Sequence, residues 1–154
     1  MNLGILALAL ALLAGPAPSP SPSPVPAGDV LIVNSGSTNR AGYRIAVAPD
    51  GRVQVTQGTV TRTLTIPAQL ATQFYADLAA AGPLDAMPAQ RCMKSASFGS
   101  TTTIAYAAKT SPDLQCEATS AAAHALAADV AAVTAAAGVR VMRRTLPIFR
   151  GSAQ

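Results

Sequence analysis

Apolar and polar positions alternate with a period of two through most of the first half of the chain and switch to a helical spacing near residue 67. Asp29–Ser35 (DVLIVNS) is β-branched and apolar, the composition of a buried strand. A polar, glycine-bounded stretch follows, Gly36–Gly42 (GSTNRAG), and reads as a loop. Tyr43–Ala48 and Arg52–Gln57 then alternate on either side of Pro49-Asp50-Gly51, which predicts a hairpin. Thr59–Ile66 continues as a strand suited to a sheet edge.

Pro67 suits the first turn of a helix, where its missing N–H removes no hydrogen bond. Leu70, Phe74, Leu78 and Ala81 recur at helical spacing and form one apolar stripe, and Gly82-Pro83 stops the helix. The pattern predicts a helix over 67–81. A proline-containing loop over 83–91 comes next. Ser95–Phe98 and Thr101–Ala107 are expected to pair as a second hairpin around Gly99-Ser100. Ser111-Pro112-Asp113 reads as a turn. A second, alanine-rich helix is expected from Ser120 to Ala137, capped by Thr119 or Ser120, ended by Gly138 and carrying the stripe Leu126, Val130, Val133. The expected fold is α+β: an antiparallel sheet of 4–6 strands with two helices on one face, in a single domain over 28–139.

Composition changes this picture mainly at the ends. Residues 3–14 (LGILALALALLA) are an unbroken apolar run. It is too short for a bilayer-spanning helix, which needs about 20 residues, and of the right size for a signal-peptide core. Residues 1–15 are therefore read as a signal segment and the protein as periplasmic or secreted, not membrane-spanning after processing. Residues 16–26 (PAPSPSPSPVP) hold six of the 12 prolines and read, with Ala27, as a Pro/Ser-rich spacer over 16–27. In an exported chain the two cysteines, Cys92 and Cys116, read as a disulfide.

The 11 Lys and Arg and 7 Asp and Glu leave a net charge of +4. That excess is the tail over 140–154, which holds Arg140, Arg143, Arg144 and Arg150 and no acid; 28–139 balances seven against seven. The domain thus has no electrostatic footprint for nucleic acid.

Catalytic and metal chemistry finds little support in the residues. His124 is the sole histidine and falls about 160° round the helix from the Leu126 stripe, on the solvent side. Cys92, Cys116 and His124 are too scattered for a structural zinc site. Lys94 beside Ser95 and Ser97 has the composition of a Ser–Lys dyad, but the order is reversed from the acyl-transfer motif and the setting is extended. The carboxylates are unpaired in sequence. No catalytic residue, cofactor or metal is assigned. The small polar loops are the better candidates: Ser37, Thr38, Asn39 and Arg40, Lys94, Ser95, Ser97 and Phe98, and Asp113 would form a binding rim if they gather at one end of the sheet.

The stretches GSTN, CMKSASFG and SPDLQC resemble a group of small secreted bacterial proteins of unknown function. The order of strands, the helix P-x-x-L-x-x-x-F-x-x-x-L-x-x-A-G (Pro67 to Gly82), a hairpin and a final helix also resembles, in layout, emfourin-type inhibitors of thermolysin-like metalloproteases. Where that family carries an S-G-G-F-type segment, this chain has Ser35-Gly36-Ser37-Thr38-Asn39, so no inhibitory residue is transferred. The resemblance implies a non-catalytic binding module whose partner is a protein such as a protease. An envelope-associated structural protein without a discrete ligand is the alternative.

Overall fold

The computed structural model describes residues 28–89, 91–95, 97 and 99–139. The stretches expected to be a signal segment (1–15), a spacer (16–27) and a basic tail (140–154), and Phe98, lie outside the described residues. Within them the order is β1 (Val30–Asn34), β2 (Tyr43–Val47), β3 (Arg52–Gln57), β4 (Val60–Thr65), α1 (Ala68–Ala81), a 3-10 turn at Leu84–Ala86, β5 (Thr102–Tyr106), β6 (Lys109–Thr110) and α2 (Ala121–Ala136). The six strands make one open antiparallel sheet in the order β4-β3-β2-β1-β5-β6.

The period-two pattern sorts the faces. Val30, Ile32, Ile45, Val47, Val53, Val55 and Ile104 are buried, while Arg44, Arg52, Gln54 and Thr63 on the other face are exposed. Register aligns the buried set: Ile32 sits opposite both Ile45 and Ile104, and Ile45 opposite Val55. Both helices close this one side, α1 through Ala71, Phe74 and Leu78, α2 through Ala123, Leu126, Val130 and Val133. His124 is exposed, as its position on the helix predicts.

Local chemistry sets the ends of the elements. At the β2–β3 turn Asp50 accepts a hydrogen bond from the Arg52 N–H at 2.9 Å, and Gly51 takes φ 84°, where a side chain would be strained. Ser120 caps α2 by accepting from the Ala123 N–H at 3.2 Å. Arg62 of β4 donates to the carbonyls of Ala137 and Gly138 at 2.7 and 2.8 Å, placing a cation on the negative end of α2.

One expected pairing is replaced. Ser95 and Ser97, the described residues of the expected first strand, are not paired with 101–107; the Gly99 N–H instead donates to Ser95 O at 2.6 Å in a tight turn. β5 has only two edges, and both are taken: β1 pairs along one and β6 along the other. The β5–β6 turn is made by Ala107 and Ala108, at φ 48° and 61°. Alanine in that region costs roughly 1–2 kcal/mol per residue, so composition did not mark these two as a turn.

Asp77 of α1 and Asp129 of α2 meet between the helices. Burial first, then the neighbouring Asp77 carboxyl with its like charge, push the Asp129 carboxyl, whose Oδ2 is buried without a partner, up to about 6. A raised folded value means that this group favours folding fully below the ordinary carboxylate value, about 4, and that the contribution is lost as pH rises through about 6. Asp129→Asn should therefore unfold at higher urea than the parent chain at about pH 7, with the gap closing towards about pH 4. A constant gap across that range would show that the carboxyl pair is not its origin.

Candidate functional site

The loops gather where β1 ends and β2 and β5 begin. Asn34 closes β1 on its buried face and is paired with Tyr43 on one side and Thr102 on the other. The chain then doubles back sharply. Ser37 and Arg40 bridge backbone to backbone at 2.8 and 3.2 Å, and a Cβ on Gly42 would fall 2.6 Å from Asn34 O, so only glycine fits there. The Ser35 N–H donates to Thr101 O at 2.9 Å, and the Thr101 N–H donates to Ser35 Oγ at 2.9 Å. The Asn39 N–H reaches Ser97 O at 3.3 Å. These bonds bring loop 35–42 against segment 94–101.

The third loop, 111–116, is tied in by charge and by a covalent bond. Cys92 and Cys116 form a disulfide with Cα atoms 5.4 Å apart. The Lys94 ammonium donates to Asp113 Oδ2 and to Ser100 O, and approaches Gln115 Oε1 at 3.5 Å. Asp113 Oδ1 accepts the N–H groups of Thr102 and Gln115, both at 3.0 Å. Burial pushes the Asp113 carboxyl up, but the Lys94 hydrogen bond and those two N–H groups outweigh it and hold the carboxyl below its ordinary value.

Of the sequence-predicted rim, Thr38, Arg40, Ser95 and Ser97 are exposed, and Ser37 and Asn39 are half-buried. Ser37 Oγ is itself buried without a partner. Lys94 and Asp113 are spent on each other, so they hold the rim together and do not offer it free charge. Phe98 lies outside the described residues. Sequence reasoning missed Asn34, Ser100, Thr102 and Gln115, which form the hydrogen-bonded base of the rim. It also missed Met93, among the described residues the one at this end whose apolar side chain stands wholly in solvent, at 103% relative exposure.

Beneath the rim, between its base and α2, lies a cavity of about 390 Å³ lined by Tyr43, Thr102, Leu114, Gln115, Val130 and Thr134 among others. A second, apolar hollow of about 310 Å³ lies between α1 and the β5–β6 turn, flanked by Tyr75 and Tyr106, whose rings meet edge to face with centroids 6.4 Å apart. Burial pushes the Tyr75 phenol up to about 12, and the phenol donates to Val47 O at 2.7 Å. Among the described residues no three His, Cys, Asp or Glu side chains gather as a metal site, and no helix is long and apolar enough to cross a membrane. Among the described residues, no nucleophile is assembled with a base at this site.

No protein-family model, curated protein or solved structure matches this chain.

Proposed function

We propose that the chain is an exported, non-catalytic binding domain that engages a protein partner through the loop-bearing end of its sheet, and that the partner is a protease. The observation that carries this reading is the mounting of Met93. Its side chain is fully solvated, yet its two neighbours are fixed: Cys92 by the disulfide and Lys94 by the Asp113 ion pair. An exposed apolar group normally loses backbone and rotamer freedom when it binds, at a cost of about 0.5–1.5 kcal/mol per ordered side chain. Here the backbone part of that cost is met in the free protein. Methionine also adapts its unbranched chain to the shape of an apolar pocket. Arg40 and Arg91, both exposed, give the same end of the molecule a positive edge.

A loop that resists movement inhibits an enzyme when it fills the substrate cleft without being released after cleavage. The test is a titration of the oxidised chain against a panel of secreted proteases that includes thermolysin-like metalloproteases. The expected result is stoichiometric loss of activity for at least one enzyme, with affinity lowered at least about tenfold by Met93→Asp, since burying a carboxylate in an apolar pocket is strongly unfavourable. Full activity of every enzyme at equimolar chain removes the protease from this reading.

A further inference from the structure

The hydrogen-bond network under the rim can be followed donor by donor, and it ends inside the 390 Å³ cavity. The Gly36 N–H donates to Asn34 Oδ1 at 2.9 Å, which fixes the orientation of that amide. The Asn34 NH₂ therefore supplies both of its hydrogens, one to Ser100 Oγ at 3.2 Å and one to Thr102 Oγ1 at 2.8 Å. An ammonium can only donate, so the Gln115 atom facing Lys94 is the oxygen, and that amide is fixed as well. Gln115 Nε2 then donates to Thr102 Oγ1 at 2.9 Å.

Thr102 Oγ1 thus accepts two N–H bonds, which uses both of its lone pairs. Its own hydrogen remains, on a residue that is 4% exposed. The network supplies it no acceptor among the described residues. Thr134 also lines this cavity, but its Oγ1 is buried without a partner and is closed to the cavity space. Buried polar groups are nearly always paired, so the unspent Thr102 hydroxyl at this cavity calls for a ligand atom that can accept. Apart from Tyr43, which carries a phenol, the remaining walls, Leu114, Val130 and Val139 among them, are apolar, and no Lys, Arg, Asp or Glu is among the described lining residues.

From this we infer that the cavity binds a small, neutral, apolar molecule carrying a carbonyl oxygen, the class of ketones, esters and lactones. A carbonyl accepts from a hydroxyl without needing a hydrogen bond in return, and an uncharged one needs no counter-ion from walls that have none. This site is separate from the Met93 surface and stands whether or not the partner of that surface is a protease.

Proton–nitrogen correlation NMR on the full chain tests it with three matched probes: cyclohexyl methyl ketone, ethylcyclohexane and cyclohexanecarboxylate. The ketone should give saturable shifts at the amides of Thr102, Gln115, Thr134 and Val139. It should bind about tenfold more tightly than the hydrocarbon, the worth of one added hydrogen bond. Ala131→Trp, a change at an exposed helix position on the cavity edge, should abolish those shifts while leaving the rest of the spectrum in place. Equal affinity for ketone and hydrocarbon would reduce the site to an apolar hollow. Tightest binding by the carboxylate, or no saturable shift at these amides with any probe, would overturn the inference and leave water as the partner of the Thr102 hydroxyl.

Discussion

Opening the Cys92–Cys116 disulfide is expected to cost about 3 kcal/mol of folding stability, the loop-closure value for a bridge of this span. The bridge joins residues 24 apart, so its loss returns a segment of that length to the unfolded chain's freedom. For a domain of about 110 residues the shift in melting temperature is on the order of 15 °C. The loss should also have a local part. Cys92 is exposed and Cys116 is buried at 8% exposure, so the bridge is what anchors the outer segment around Met93 to the body of the fold. Without it, that segment is held through the Lys94 contacts, the turn from Ser95 to Gly99 and the backbone bonds from loop 35–42 to Ser97 and Thr101. The measurement is urea unfolding of the oxidised chain beside the Cys92→Ser/Cys116→Ser double variant, with amide exchange followed at 93–101. A midpoint shift with an unchanged slope, and faster exchange confined to that segment under native conditions, is the expected pair of results. A loss below about 1 kcal/mol would mean that the polar network alone fixes the rim.

That dependence on long-range ties explains which parts of the molecule could be read from its sequence. β1 to β4 and both helices follow from periodicity, because each is specified by its own residues: alternation in Arg52–Gln57, the Phe74 and Leu78 spacing in α1, Ser120 and Gly138 at the ends of α2. The partner of β5 could not be read in the same way. Leu31 and Ala105 pair across more than seventy positions, and nothing local in Thr102–Tyr106 selects β1 over the nearby segment 95–98. β6 is two residues long, below any periodic signal, and its turn is built from Ala107 and Ala108, where composition points elsewhere.

The candidate site divides along the same line. Turn-forming composition located Ser37 to Arg40, Lys94 to Ser97 and Asp113, because loops advertise themselves locally. Their functions depend on contacts that composition does not encode. Lys94 and Asp113 look like free rim charges until they are seen to neutralise each other. Asn34 was the one member of the base with a readable signal: the period-two rule places it on the same face as Val30 and Ile32, and a buried amide at the end of an apolar strand needs several partners. Met93 carries no signal at all in sequence, since its exposure follows from the way Cys92 and Lys94 are pinned.

Replacing Asp113 should show how much of the rim rests on one carboxylate. Asp113→Ala is expected to destabilise the fold by about 3 kcal/mol. The change strands the Lys94 ammonium and the N–H groups of Thr102 and Gln115, three donors that each gain about 1.5–3 kcal/mol from a charged acceptor, and the total is reduced by solvent screening of a partly exposed pair and by non-additivity. Asp113→Asn is the informative comparison. Its side-chain oxygen can still accept both N–H groups, so it should lose only the ion pair, about 1 kcal/mol. The pH dependence separates the two contributions further. Because the Asp113 carboxyl is held below its ordinary value, its stabilisation is complete above about pH 4 and is lost as pH falls through the lower folded value. Asp129 has the opposite sign, losing its contribution as pH rises through about 6. Stability should therefore pass through a maximum in the mildly acidic range, with the acid side set by Asp113 and the neutral side by Asp129. Asp113→Asn should flatten the acid side alone, and Asp129→Asn the neutral side alone. If Asp113→Asn leaves the acid side as steep as before while Asp113→Ala still loses about 3 kcal/mol, the carboxylate acts on the rim as a backbone cap for Thr102 and Gln115, and the Lys94 charge adds nothing to stability.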